Sequence, residues 1–398
     1  MKPFITIGLM SGTSMDGMDA VLFSYQGVED NNPANIEIIA SHQAPYSQSF
    51  RQKLLDCIDQ RDLEKSCELS SYWAQLAIET VNDLLKKSKR RPHDVDVIAS
   101  HGQTLLHHPA KLPHLNFGYT LQIGSPSFIA QHTGITCVGN FRQTDIALGG
   151  QGAPLLPTGH ALLFKPEEGY RSIHNLGGIS NLTLLSNQGI VMAYDTGPAN
   201  MWIDAACRHY SKNEYSYDPH GQLAKKGTSD QSMIKALLKH PYFKEKAPKS
   251  TGYETFGKHY LENIFKKFKD LSLEDALASV TEATAISIAY SYQKDVFPNF
   301  SPLNEIVFSG GGCYNLTLIE KIQHYLGKKV IIQSTQEYGC APNLTEAVGF
   351  GVLAVEFLRG RPNIYKIVTG AEKNSIGGEL AWGSDPKHID RLKSKLLV

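Results

Sequence analysis

No apolar run in this chain approaches the roughly 18 residues that a bilayer span requires. The six cysteines (Cys57, Cys67, Cys137, Cys207, Cys313 and Cys340) include no C-x-x-C pair, which argues against a zinc site and a disulfide framework. Basic and acidic residues balance at 39 each, so no net field pulls the protein towards nucleic acid or a membrane surface. The one basic cluster, residues 86–91, closes an amphipathic segment and suits the negative end of a helix. We therefore expect a cytoplasmic protein with neither nucleic acid nor membrane among its partners.

The catalytic signatures that are missing narrow the chemistry further. No Walker A lysine motif occurs, so this is not a P-loop enzyme. No G-x-G-x-x-G opens a helix after a first strand, which disfavours a dinucleotide. G-x-S-x-G and H-E-x-x-H are absent, so serine hydrolase and zinc peptidase readings lack their minimal parts.

What the chain does have is a dense polar turn. Residues 8–19, between the apolar runs 4–7 and 20–23, hold three glycines, three hydroxyls and two carboxylates. Glycine lets backbone N–H groups converge on one anion, and carboxylates can hold a divalent metal or its waters. An ordinary hairpin needs less, about two to five residues. Strand patterns at 4–7, 20–23 and 35–41, the last after the Asn31–Pro33 turn signal, precede a helical segment at 70–85 and a strand at 95–99. After Gly149–Pro154 the order restarts, with strands at 172–176, 179–185 and 190–194, a helix from about Met201, and a long helix at 273–293. A strand at 305–309, the loop Gly310–Gly312, a helix at 316–326 and a strand at 329–333 follow. Three strands, then helix and strand, thus occur twice. Three Gly/hydroxyl loops on such a frame point to a nucleoside triphosphate. We expect an α/β chain of two lobes around a cleft, divided at 1–145 and 146–359. Residues 214–265 form an insertion, either a lid or a surface excursion, and a tail from about 360 to 398 packs back on the first lobe.

Several side chains carry two readings each. Asp195, at the end of a buried strand, is either a general base or the cap of the helix that follows. His101 is a ligand contact or a hydrogen-bonded structural histidine. Arg142 and Asp145 form a carboxylate clamp or an internal ion pair. Glu346 heads an apolar helix, where its charge is favourable on its own account.

The motifs resemble those of the anhydro-N-acetylmuramic acid kinases, within the acetate and sugar kinase/heat-shock/actin superfold. The likeness runs in order through residues 8–19, His101–Thr104, Leu121–Gly124, Phe141–Asp145, Gly149–Leu155, Asn175–Leu182, Asp195–Asn200, Ser309–Gly312 with Asn315, Glu346–Ala347 and Thr369–Ala371. Cys313, Tyr314, Asn343 and Gly349 depart from the family pattern. The resemblance implies the duplicated βββαβαβα actin-like ATPase/sugar kinase fold. It also implies an ATP- and Mg²⁺-dependent enzyme that opens 1,6-anhydro-N-acetylmuramic acid with water and phosphorylates its 6-oxygen. The products are N-acetylmuramate 6-phosphate and ADP, in peptidoglycan recycling. On this resemblance Asp195 is the base. Gly12, Thr13, Ser14, Met15, Asp16, Gly17, Met18 and Asp19, with Thr196, Gly197, Gly310, Gly311, Gly312 and Asn315, bind the nucleotide. His101, Gln122, Arg142, Asp145 and Gln151 contact the sugar, and the direct metal ligands stay unassigned. Two alternatives remain open: a conventional hexosamine kinase of the same superfold, and a non-catalytic sensor of ATP and muropeptide. The oligomeric state, a homodimer included, is not written in the sequence.

Overall fold

The computed structural model describes residues 2–12, 15–27, 34–247 and 249–397, with Glu254 by its backbone alone. The turn signal at residues 31–33 and two residues of the first loop, Thr13 and Ser14, lie outside the described residues. The chain divides into two compact units: Met1–Leu163 with Leu344–Val398, and Phe164–Asn343.

In the first unit β1 (Phe4–Met10), β2 (Gly17–Gln26) and β3 (Asn35–Pro45) form an antiparallel meander. β4 (Val97–Ser100) joins β1 in parallel, and β5 (Gln103–His108) and β6 (Tyr119–Ile123) make a separate hairpin. β7 (Cys137–Gly139) pairs with β4, and the late strand Glu379–Ala381 closes the edge. One face of the sheet is covered by the helix Leu63–Ser88, whose Trp73, Ala77, Val81 and Leu84 lie on one stripe and pack with Ile7, Leu9 and Ile98. Asp62 starts that helix by accepting the Lys65 N–H at 3.0 Å, a standard N-cap. The helix Thr345–Leu358 lies so close to β1 that a Cβ on Gly8 would stand 1.9 Å from the Ala347 carbonyl oxygen. That approach explains why the first unit resumes at Leu344 rather than near 360. It also extends past residue 145, to Leu163.

The second unit repeats the arrangement. β8 (Tyr170–Leu176), β9 (Ile179–Ser186) and β10 (Gly189–Pro198) are antiparallel, and β11 (Leu303–Ser309) and β12 (Ile331–Ser334) add in parallel. The strand order β10-β9-β8-β11-β12 matches β3-β2-β1-β4-β7 of the first unit. This is the duplicated topology of the actin-like ATPase and sugar kinase fold. The expected insertion is not a surface excursion. Its Met233, Ile234, Leu237, Tyr242, Phe243, Phe256, Leu261, Ile264 and Phe265 belong to the unit's core. Trp202 anchors them, edge-on to Phe243 and Phe256 and stacked on Tyr260.

Candidate active site

In the first unit the polar loop is fastened from beneath by a chain of hydrogen bonds. Trp73 Nε1 donates to Tyr46 Oη at 2.6 Å, which lies 2.7 Å from Ser11 Oγ. Ser11 Oγ donates to Gln103 Oε1 at 2.6 Å, and Gln103 Nε2 donates to the Gly12 carbonyl at 3.2 Å. Met15 and Met18 are buried in the core beside this chain, so only their backbone can meet a phosphate. Gly17 is required here, because a Cβ would come within 2.8 Å of the Ala44 carbonyl oxygen. Asp16 is exposed and Asp19 half-buried. Burial, and then the charge of Asp16, pushes the Asp19 carboxyl up to about 6. Two carboxylates crowded in this way fit a divalent cation, whose charge would relieve the repulsion. No cluster of three or more His, Cys, Asp or Glu side chains that could hold a metal occurs among the described residues.

At the ends of β4 and β7, His101 and Arg142 meet. Arg142 Nη2 lies 2.8 Å from His101 Nε2, and His101 Nδ1 lies 2.8 Å from the Gly102 carbonyl. Burial, then the guanidinium charge, drops the His101 pKa to about 3. Arg142 Nη1 donates to the Gly152 carbonyl at 2.7 Å, while its buried Nε has no hydrogen-bond partner among the described residues. Burial lowers the guanidinium to about 10, opposed by the charge of Glu346. Glu346 thus does more than favour its own helix.

Asp145 is neither a clamp nor the ion-pair partner of Arg142. It is fully buried, with Oδ2 accepting the Gly152 N–H at 2.7 Å and Oδ1 accepting the Thr369 hydroxyl at 2.6 Å. Its carboxylate therefore holds the Gly149–Gly152 turn, and a sugar contact has no support from its geometry. Gln151 is exposed, and its N–H donates to the Thr369 carbonyl. Gln122 donates to the hydroxyls of Thr120 and Thr104 at 2.8 and 3.2 Å. It alone of the expected sugar contacts lines a polar hollow of about 280 Å³, with Ser70, Ser125, Asn140 and Glu379.

In the second unit β10 continues to Pro198, so Asp195 sits within the strand, at a bulge, rather than beyond its end. Bulges re-aim side chains and recur beside active sites. The insertion grips this residue. The Asp195 N–H donates to the Lys249 carbonyl at 3.0 Å, Tyr242 Oη donates to the Asp195 carbonyl at 2.6 Å, and the Thr251 N–H donates to Asp195 Oδ2 at 2.9 Å. Burial and the nearby Asp195 charge push the Tyr242 phenol well above its ordinary range, keeping it a donor. The expectation that Asp195 merely caps the next helix is not met: that helix opens at Asn200 with Ala199 as its N-cap residue.

Thr196 faces inwards. Its hydroxyl donates to Ser180 Oγ at 2.7 Å, which lies 2.6 Å from His174 Nε2; His174 Nδ1 lies 2.9 Å from Tyr292 Oη. That hydroxyl is committed to the core rather than to a nucleotide. Gly197 has φ 140° and packs against Phe243. Gly310, at φ 82°, and Gly312 fit closely against Asn175 and Leu176, whereas a Cβ on Gly311 would meet open space. Asn315 Oδ1 caps the helix Leu316–Leu326 by accepting the Leu318 N–H at 3.0 Å. Tyr314 Oη donates to Asn343 Oδ1 at 2.9 Å.

Sequence reasoning missed Tyr46 and Gln103 under the first loop, and Tyr242, Lys249 and Thr251 around Asp195. Gln103 stood in the polar stretch after β4 and was within reach of inference. The other four gave no signal.

Residues 4–382 match the family model described as anhydro-N-acetylmuramic acid kinase. A protein of that name from Caldanaerobacter subterraneus subsp. tengcongensis is 36% identical over 386 residues, covering 95% of this chain and 96% of that protein. One from Crocosphaera subtropica is 38% identical over 385 residues, covering 94% and 98%. A Bacillus cereus protein of the same name is 34% identical over 382 residues, with 94% and 98% covered.

Proposed function

The chain belongs to the anhydro-N-acetylmuramic acid kinase family, and from that premise we propose the following reaction for it. With ATP and Mg²⁺ it opens the anhydro bridge of 1,6-anhydro-N-acetylmuramic acid with water and phosphorylates the freed 6-oxygen. This gives N-acetylmuramate 6-phosphate and ADP and serves peptidoglycan recycling. The observation that carries the reading is the setting of Asp195, a carboxylate at a strand bulge held through its own N–H, its carbonyl and Oδ2. A general base needs such fixed placement before it needs a tuned pKa.

Water attacks the anomeric carbon as Asp195 takes its proton. The departing 6-oxygen gains negative charge and is captured by the γ-phosphoryl group, so one carboxylate does the work for which a simple glycosidase needs two. The Gly12–Asp19 loop supplies backbone donors to the phosphates, since phosphoryl transfer depends mostly on positioning and neutralised charge. Asp16 and Asp19 would hold Mg²⁺, which when bound neutralises phosphate charge. Arg142, placed by His101, suits the lactyl carboxylate of the sugar.

The test is mass spectrometry of the product formed from ATP and the anhydro sugar in heavy-oxygen water. One heavy oxygen at the anomeric carbon together with one phosphate is expected. A phosphorylated product without the label points to a conventional hexosamine kinase and overturns the reading. Asp195→Asn should abolish turnover and leave ATP binding intact.

A further inference from the structure

The loop that grips Asp195 carries a buried hydroxyl with no hydrogen-bond partner among the described residues. Thr251 gives its N–H to Asp195 Oδ2 at 2.9 Å, while its own Oγ1 is that hydroxyl. Buried hydroxyls are nearly always bonded, and an exception in a native protein asks for a reason. Thr6, Ser100, Thr281, Thr284 and Ser375 share the condition among the described residues. Of these six, Thr251 is the one that hydrogen-bonds the candidate base.

The surroundings hold this hydroxyl in place. The Lys249 carbonyl accepts the Asp195 N–H at 3.0 Å. Lys249 Nζ donates to the Tyr242 carbonyl at 2.8 Å and stands 4.2 Å from the centre of the Tyr242 ring. Tyr242 in turn donates to the Asp195 carbonyl at 2.6 Å. The loop is thus tied to the strand on both sides of the residue that carries the carboxylate.

We propose that Thr251 is a further catalytic residue, whose hydroxyl bonds a hydroxyl-bearing oxygen at Asp195: the attacking water or a sugar hydroxyl beside it. The proposal rests on the reading of Asp195 as the base. An unbonded buried hydroxyl weakens the free protein and becomes useful only when the reacting groups arrive. Removing it should therefore make the free protein at least as stable and the enzyme slower, the reverse of what a structural hydroxyl would do.

The experiment compares Thr251→Val, which keeps shape and backbone N–H, with Thr251→Ser, which keeps the hydroxyl. For Thr251→Val, kcat/KM on the anhydro sugar should fall by about 10- to 100-fold, with Tm unchanged or raised, and Thr251→Ser should recover most of the rate. A fall confined to kcat assigns the contact to the water; a rise confined to KM assigns it to the sugar hydroxyl. Unchanged kcat/KM in Thr251→Val overturns the proposal, as does a loss of activity that tracks a lowered Tm and is not recovered by serine. Asp195→Asn is measured beside them. If it keeps its turnover, the base assignment itself falls; if it is inactive while Thr251→Val is unaffected, only the role of Thr251 falls.

Discussion

Arg142 fixes the tautomer of His101. A guanidinium can only donate, so the 2.8 Å contact makes His101 Nε2 the acceptor and leaves the ring proton on Nδ1, facing the Gly102 carbonyl at 2.8 Å. The histidine is neutral with its lone pair in use. It is a positioning residue for Arg142 and not a proton carrier. If the guanidinium reads the lactyl carboxylate, Arg142→Ala should raise KM for the anhydro sugar by about 10- to 100-fold and lower kcat far less. His101→Phe, which keeps a ring against Phe350 but removes the acceptor, should shift KM the same way by less. Steady-state kinetics with varied sugar decide, and a loss confined to kcat counts against the carboxylate contact.

Acid should weaken both units. Burial lowers His101 to about 3 and His160 to about 4 in the first unit, and His174 to about 3 in the second. An unfolded histidine titrates near 6.5, so between these values the unfolded chain holds protons that the folded one refuses. Stability is then complete above about pH 6.5 and declines as the pH falls towards the folded values. Asp19 opposes this in the first unit, because its folded pKa near 6 lies above the unfolded one. From these groups each unit lacks a net one proton near pH 5, a slope of about 1.4 kcal/mol per pH unit. Urea titrations between pH 4.5 and 7 measure it, and a flat midpoint would contradict the buried neutral histidines.

Asp19→Asn should stabilise the metal-free protein while impairing the enzyme. At neutral pH the ionised carboxylate is disfavoured by burial and by Asp16, and its removal is worth up to about 3 kcal/mol. The same change takes away half of the pair proposed to hold the cation. Differential scanning should show a higher Tm without nucleotide and a smaller rise on adding Mg²⁺ and ATP. An undiminished rise would free Asp19 from that role.

Gly8→Ala should destabilise the first unit by about 3 kcal/mol, because the new methyl would stand 1.9 Å from a helix carbonyl oxygen rather than a movable side chain. Denaturant unfolding tests this, and a loss below about 1 kcal/mol would mean that the helix Thr345–Leu358 can shift at little cost.

Much of the scaffold was legible because its signals are local. Short β-rich runs separated by glycine turns gave β8, β9 and β11 nearly as observed, and the stripe through Trp73 and Leu84 gave the helix that covers the first sheet. β1, β2 and β10 came out short, because residues 8–10, 17–19 and 195–198, read as turn or loop, are strand. The loops that follow these strands were legible for the same reason. Long-range partnerships were not. Asp145 stands three residues from Arg142, yet it bonds Thr369, 224 positions away. The insertion was misjudged although its ten-residue helix Lys258–Lys267 sets Leu261, Ile264 and Phe265 at helical spacing. Its other apolar residues come from a helix of seven residues, single turns and scattered aromatics too short to show a period, so the common anchor on Trp202 appears only in the fold. The grip on Asp195 by Tyr242 and Thr251 was hidden with it.

The final strand, Glu379–Ala381, lies against β7, and the helix behind it sends Lys395 to Asp96 at 2.6 Å. The first unit is thus assembled from two separate stretches of the chain, whereas the second is one unbroken stretch. On the ribosome the second unit has all its residues once position 343 has left the exit tunnel, while the first must wait for residues beyond 343. A chain cut before Glu379 would carry one finished unit and one raw sheet border at β7, the kind of surface that recruits chaperones or aggregates.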